Sequence, residues 1–174
     1  MQPSPWVVKY ADLIPAGAKV LDLACGNGRH SKFFIKKSCR VTAVDIDIRP
    51  LDALSEHPNC KIIKADLESQ DEWILASDFD AVIVTNYLHR PLFRYLPMAL
   101  APNGILIYQT FMVGNEKYGK PSNPDYLLAK GELKTAFDKH FDIIEFSQGF
   151  SAKPKDAVTQ QICARLVSPT IFTD

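Results

Sequence analysis

Val20-Leu21-Asp22-Leu23-Ala24-Cys25-Gly26-Asn27-Gly28-Arg29-His30-Ser31 runs from an apolar strand through a glycine turn into the start of a helix. The glycines let the backbone turn tightly and come close to a ligand. The helix start behind them offers free N–H groups and a positive dipole end. A second strand, residues 40–45, ends in Asp45, at the place where nucleotide-binding sheets hold ribose hydroxyls. A nicotinamide dinucleotide site would need a third glycine, and Ser31 stands in its place. Asp22, inside the first strand, is equally out of place beside a pyrophosphate.

The chain's 174 residues suit one domain, taken as 1–174 with a core over about 17–166. A 47% hydrophobic share is that of a globular protein with a sizeable core. Twenty basic residues balance twenty acidic ones, so there is no strong nucleic-acid signal. The pairs Lys36-Lys37 and Lys153/Lys155 read as solvated surface. Cys25, Cys39, Cys60 and Cys163 form no CxxC pair, and His30, His57 and His140 lie apart, so no metal is expected. Buried free thiols suit a reducing compartment. The first six residues lack a signal-peptide pattern, and no apolar run reaches the length of a membrane span. The expectation is a cytoplasmic protein without a membrane partner; the oligomeric state is not legible.

Outward from the glycine turn, strand and helix signals alternate. Strands are predicted at 19–24, 40–45, 60–64, 79–85 and 105–110. Helices are predicted at 7–14, 30–38, 49–56, 71–75, 92–100 and 132–140, with a turn at 101–104. Two last strands, 142–148 and 159–166, have no helix between them and predict an antiparallel hairpin. Near-continuously apolar strands alternating with helices predict an α/β, Rossmann-like, doubly wound sheet, mostly parallel, covered on both faces. The loop from Met112 to Gly131 is about twenty residues, longer than compact domains usually need. It follows the fifth strand, at the carboxyl edge where ligands bind, and reads as a lid or substrate wall.

An acid-bearing strand, a small-x-Gly-x-Gly turn and a second strand ending in Asp resemble the class I S-adenosylmethionine (SAM)-dependent methyltransferases. Gly-Asn-Gly-Arg is similar to the small, tellurite-resistance-type members. The resemblance implies seven strands in the order 3-2-1-4-5-7-6 and SAM as methyl-donor co-substrate. It tolerates Asp22, since SAM carries an ammonium and a sulfonium. By this resemblance Ala24, Cys25, Gly26, Asn27 and Gly28 wrap the methionine part, and Asp22 orients the turn or reaches the ammonium. Arg29 meets the carboxylate, as its planar fork allows. Asp45 takes the ribose hydroxyls, Ile46 packs beside adenine, and Asp66 with Leu67 forms the adenine edge. A helix N-cap is the plainer role for Asp66.

In the family the edge of the fourth strand faces the transferred methyl. Here it reads Thr85-Asn86-Tyr87-Leu88-His89-Arg90, without the prolines of enzymes that methylate exocyclic or amide nitrogens. Thr85 and Asn86 are expected against the cofactor, with Asn86, Tyr87, His89 and Arg90 lining the substrate side. Tyr87 and His89 are the catalytic candidates, His89 as a base by its near-neutral pKa. Gln109, Thr110, Asn115, Tyr118 and Asn123 are expected to face the acceptor. The resulting reading is a methyltransferase acting on a small molecule. A protein or nucleic-acid acceptor, and a non-catalytic SAM-binding module in a complex or as a sensor, stay open beside it.

Overall fold

A computed structural model describes residues 1–69, 77–152 and 155–167. The helix expected at 71–75 and Lys153 lie outside the described residues.

Seven strands form one sheet: β1 (Lys19–Leu23), β2 (Arg40–Asp45), β3 (Cys60–Lys64), β4 (Phe79–Thr85), β5 (Leu100–Phe111), β6 (Phe141–Ser151) and β7 (Ala157–Leu166). Their order is β3-β2-β1-β4-β5-β7-β6, as expected. The first five run parallel, and β7 is antiparallel to both β5 and β6. The neighbours of β1 are β2 and β4, so the chain's direction across the sheet reverses there. In open α/β sheets ligands bind at that reversal, outside the carboxyl ends of the strands.

Among the described residues four short α-helices accompany the sheet: α1 (Pro5–Tyr10), α2 (Arg29–Lys36), α3 (Leu96–Ala99) and α4 (Glu132–Phe137). Strand side chains alternate between faces, and both faces are apolar here. Leu21, Val82, Leu106 and Ile162 face one way, onto Leu92, Leu96, Leu133 and Phe137. Val20, Ile83, Ile107 and Cys163 face the other, onto Trp6, Val7, Tyr10 and Phe34. Two-sided burial is why these strands read as unbroken apolar runs.

Proline corrects several helix boundaries. Pro5 opens α1 two residues ahead of the expected start, with Ser4 as N-cap accepting from the Trp6 N–H at 3.1 Å. A 3-10 turn, Ala11–Leu13, continues it. The helix expected at 49–56 is a 3-10 helix, Arg49–Leu54, with Pro50 at its start. The helix expected at 92–100 is divided into a 3-10 helix, Arg90–Arg94, and α3, which restarts with Pro97 in its first turn. A proline ring removes a backbone donor and clashes with the preceding turn, so a helix cannot run through it. The turn expected at 101–104 lies inside β5, where Asn103 takes φ +64° and the register against β4 shifts between Phe79 and Ala81. The final hairpin strands run longer than predicted because each pairs along its whole length. Among the described residues no helix is long and apolar enough to cross a membrane.

Candidate active site

The glycine turn crosses from the end of β1 to the start of α2. Ala24, Gly26 and Gly28 all take left-handed φ values of +49°, +55° and +69°. At Gly28 the left-handed backbone is joined by crowding: a Cβ there would lie 2.6 Å from Leu51 Cδ2, so the leucine would have to shift. Asp22 is fully buried beneath the turn and accepts a 2.6 Å hydrogen bond from the Ser31 hydroxyl in the first turn of α2. Burial is the larger influence on its carboxyl and raises its pKa to about 6. Asp22 therefore ties strand to helix. Burial likewise raises the Cys25 thiol, which is inert packing under Ala43, Leu51 and Leu54.

Asp45, at the end of β2, braces the same turn from the side. One carboxylate oxygen accepts from the Gly26 N–H at 2.7 Å, the other from the Asp47 N–H at 3.0 Å. Each oxygen keeps a lone pair for a further donor. Asp66 follows β3 and accepts from the Glu68 N–H at 2.9 Å. Its role as a turn-capping residue is thus real, and its carboxylate stays exposed. Ala24, Asp45, Ile46, Asp66, Leu67 and Tyr87 line one cleft of about 400 Å³, with Glu68 at its rim. Ile46 leaves 59% of its surface exposed there, an apolar face without a protein partner. A second cavity, about 330 Å³, opens at the amino ends of the strands between Lys19, Arg40 and Phe79. It lies on the sheet edge opposite the glycine turn.

The end of β4 adjoins this cleft. Asn86 is left-handed, at φ +56°, and its N–H donates to the Gln109 carbonyl at 2.8 Å. Tyr87 follows, its carbonyl held at 2.9 Å by the hydroxyl of fully buried Tyr108. Tyr108 stands in an aromatic cluster with Phe93 and Phe137, so Tyr87 rests on rigid packing. The Tyr87 hydroxyl is buried and, among the described residues, makes no hydrogen bond of good geometry, with the Glu68 carboxylate its nearest acidic neighbour. Burial, with Glu68, Asp66 and Asp45 nearby, raises its pKa, so at neutral pH Tyr87 acts as a neutral phenol. His89 is half-buried at the start of the next 3-10 helix and its side chain caps nothing.

Several expected acceptor residues turn out to have other partners. Thr110 and Asn115 are each 1% exposed and face no open space. Asn115 instead accepts from the Val158 N–H at 3.0 Å and donates to the Pro121 carbonyl at 3.2 Å, fastening the long loop to β7. Tyr118 is exposed and packs on Phe150 of β6 at 5.1 Å. Asn123 caps the 3-10 turn Pro124–Tyr126. Arg90 is engaged by the long loop and the helix after it. Its guanidinium pairs with Glu132 at 2.6 Å and donates to the Asp125 and Leu127 carbonyls. With the Met112–Leu128 bridge, these contacts fasten the loop to β7 and to the helix that opens at Arg90.

Gln109 does lie with the strand ends, and there the structure adds two residues the sequence did not single out. The Ser4 hydroxyl donates to the Gln109 side-chain carbonyl. The Ser4 N–H donates to Nε2 of His30 at 3.1 Å, while His30 Nδ1 lies 3.4 Å from the Thr85 hydroxyl. An acceptor at Nε2 leaves the proton on Nδ1, so the ring is neutral. Burial, with Arg29 adjacent, lowers its pKa to about 3. Next to this cluster the Met1 sulfur touches the Asn27 amide at 3.6 Å and the Arg29 guanidinium at 3.8 Å. Arg29 is half-buried and, among the described residues, has no carboxylate hydrogen-bonded to it.

Residues 20–104 match a family model described as a methyltransferase domain. TehB from Haemophilus influenzae shares the fold at a TM-score of 0.76 and 20% identity, over 94% of this chain and 62% of that one. The chain thus spans less than two thirds of that protein's length. Burkholderia thailandensis 1,6-didemethyltoxoflavin-N1-methyltransferase, solved with 1,6-didemethyltoxoflavin and S-adenosylhomocysteine, aligns at 0.71 and 20% identity, covering 94% of this chain and 76% of that one. A TehB-like SAM-dependent methyltransferase from Corynebacterium glutamicum aligns at 0.67 and 18% identity, covering 92% and 86%. No curated protein sequence is significantly similar.

Proposed function

We propose, from the premise that the chain belongs to the class I SAM-dependent methyltransferases, that it transfers a methyl group to a small-molecule acceptor. The observation that carries this is one cleft lined by Ala24 at the start of the glycine turn, the strand-end carboxylates of Asp45 and Asp66, and the exposed face of Ile46. The donor set fits SAM. Two carboxylates with spare lone pairs suit ribose hydroxyls and an exocyclic amine, and an aliphatic face suits a flat heteroaromatic ring.

When bound, SAM supplies a methyl activated on a sulfonium, and the transfer is an in-line displacement. The residues of this chain position the partners and exclude water. Asp45 takes the ribose, Ile46 and Leu67 cover the adenine, and Asp66 meets its edge. The turn from Ala24 to Gly28 follows the methionine part, with Arg29 offering its fork to the carboxylate. Thr85 and Asn86 stand beside the sulfonium. Tyr87 and His89 stand on the acceptor side, His89 as the group of suitable type to take a proton from the nucleophile. Gln109 and the wall formed by residues 112–131 bound the acceptor. The low net charge and the absence of a basic face in the composition favour a small acceptor over a nucleic acid. The Burkholderia protein, with its heteroaromatic ligand, is a precedent for that acceptor size on this fold.

Calorimetry tests the cofactor. SAM and S-adenosylhomocysteine are expected to bind at about micromolar affinity, near −8 kcal/mol, and NAD not at all. Mass-spectrometric detection of methylated products across a panel of small nitrogen, oxygen and sulfur nucleophiles tests the acceptor. Methylation of protein or RNA with no product in the small-molecule panel would overturn the acceptor class.

A further inference from the structure

We propose that Gln109 and Gln161 form a recognition floor for the acceptor, and that together they select an uncharged molecule carrying an amide or lactam group, –CO–NH–. The inference rests on the methyltransferase reading above and names the chemical class of its acceptor.

Thr85 on β4, Gln109 on β5, Gln161 on β7 and Ser147 on β6 are successive partners across the sheet. Side chains alternate between faces, so the first three stand on the face that carries Ile83, Ile107 and Cys163 two residues away. Beneath α1 that face is apolar. One step nearer the carboxyl edge it becomes a row of uncharged polar groups. Thr85 is buried beside the neutral ring of His30, Gln109 and Gln161 are half-buried, and Ser147 is exposed. The Asn86 N–H on the Gln109 carbonyl joins this row to the strand end proposed to face the methyl.

Each glutamine spends one end of its amide and keeps the other. The Ser4 hydroxyl oxygen accepts from the Trp6 N–H, so its proton goes to Gln109, which therefore presents its oxygen there. Gln109 Nε2 keeps two N–H donors. Gln161 donates from Nε2 to the Thr159 hydroxyl at 3.2 Å and keeps its carbonyl oxygen. Neither remaining end has a hydrogen-bond partner among the described residues. Gln160, on the opposite face, shows what a purely structural glutamine does. Fully buried, it spends its oxygen on the Leu133 N–H at 3.1 Å and its nitrogen on the Ala129 carbonyl.

Gln109 and Gln161 are direct cross-strand partners, with Cβ atoms about 5 Å apart. A fixed N–H beside a fixed carbonyl oxygen complements the C=O and N–H of one amide. An ionic acceptor would lose hydration in this row without meeting an opposite charge. Glu145, farther along β6, is already paired with Lys9.

Uracil is the probe, a ring built of two –CO–NH– groups, and 1,3-dimethyluracil is the same ring without an N–H. In protein saturated with S-adenosylhomocysteine, the side-chain amide signals of Gln109 and Gln161 report contact by nuclear magnetic resonance. Uracil should shift both, and 1,3-dimethyluracil should bind about tenfold more weakly, the scale of one hydrogen bond. Gln109→Glu keeps an acceptor for Ser4 and removes the N–H. Gln161→Glu adds the same charge and keeps the carbonyl-type acceptor. Gln109→Glu and Gln161→Met should each weaken uracil about tenfold, and Gln161→Glu by less than about threefold. All three should hold S-adenosylhomocysteine within about twofold, which shows them folded with the donor cleft intact. Among nucleophiles tested for methylation, product should come from uncharged compounds bearing –CO–NH–. Equal affinity for the two uracils, equal loss in the two glutamate variants, or product from carboxylates and free amines alone overturns the amide selection. An absence of shifts with uracil in protein that binds S-adenosylhomocysteine overturns the floor. A chain that does not bind S-adenosylhomocysteine overturns the methyltransferase reading and the floor with it.

Discussion

On the β1–β2–β3 side of the sheet the site is made by near neighbours along the chain: Asp22 and Ser31 are 9 residues apart, Gly26 and Asp45 are 19 apart. On the β4–β7 side the contacts are remote. Ser4 meets Gln109 across 105 residues, Asn115 meets Val158 across 43, and Arg90 meets Glu132 across 42. The first arrangement, proposed for the donor, is built of backbone turns and strand ends, which tolerate little change of residue type. The second joins separate segments around a space, and its side chains can vary with the acceptor. A common donor and a variable acceptor on one fold are the expected result of that division.

The sharpest way to break the contrast is to damage the local half at its least tolerant point. Gly28→Val combines a left-handed backbone with a Cβ placed 2.6 Å from Leu51 Cδ2. Left-handed strain costs about 1–2 kcal/mol and overpacking about 1–3 kcal/mol. The variant should lose about 2–5 kcal/mol of stability in urea unfolding, together with its binding of S-adenosylhomocysteine. A stable Gly28→Val protein with intact binding would mean the turn is adaptable and the local half less constrained than its geometry implies.

Asp45→Ala is a milder test of the same half. It removes the acceptor of the Gly26 N–H and the carboxylate proposed for the ribose. Affinity for S-adenosylhomocysteine should fall by about 1.5–3 kcal/mol, the range for hydrogen bonds to a charged acceptor. Unfolding should move much less, since the residue lies at a half-exposed strand end. An unchanged calorimetric constant would remove Asp45 from the site.

What the sequence disclosed follows the same division. The sheet order, the glycine turn and the cleft-lining acids Asp45 and Asp66 were legible because strand periodicity and turn chemistry are local. The helix expected at 92–100 failed where Pro97 interrupted an apolar pattern, and the one expected at 49–56 began where predicted but formed as a shorter 3-10 helix. Thr110 and Asn115 were misplaced because polar residues after a strand look ligand-facing until their buried partners are known. His30 was weighed only as a metal ligand, for the converse reason. A lone histidine at a helix start carries no local signal, and its role arises from Ser4 and Thr85, 26 and 55 residues away. One cue was available: Ser4 stands just before a proline-started helix, which marks an N-cap.

Acid titration compares the buried charges beneath the turn. Asp22 has its pKa raised to about 6, so the native state takes up a proton that the unfolded chain, near 4, does not. Its effect is to raise stability as pH falls from 6 to 4. His30 has its pKa lowered to about 3, so the unfolded chain protonates first, below about 6.5. Its effect is to lower stability over the same window. Each slope approaches about 1.4 kcal/mol per pH unit, with opposite sign. Relative to the parent, Asp22→Asn should therefore become less stable on acidification from pH 6 to 4.5. His30→Gln should become more stable over that interval. Thermal or urea unfolding at several pH values measures both. Parallel profiles for all three proteins would show that neither group titrates differently on folding.

The smallest effect belongs to the remote half, and it asks whether the loop wall is fastened independently of the cofactor cleft. Asn115 holds the wall by two hydrogen bonds, one to the Pro121 carbonyl within the loop and one from the Val158 N–H of β7. Asn115→Ala leaves the part-buried Val158 N–H without its acceptor, at a cost of about 1 kcal/mol. The loss should be local, because the Met112–Leu128 bridge and the Arg90–Glu132 pair still close the loop at its base. Hydrogen exchange should quicken at residues 113–121 and 157–159, while β1 and β2 keep their protection. Affinity for S-adenosylhomocysteine should stay within about twofold of the parent, and turnover of the identified acceptor should fall. If instead cofactor affinity falls with loop protection, the two halves are coupled through β5, and the wall belongs to the donor site as much as to the acceptor.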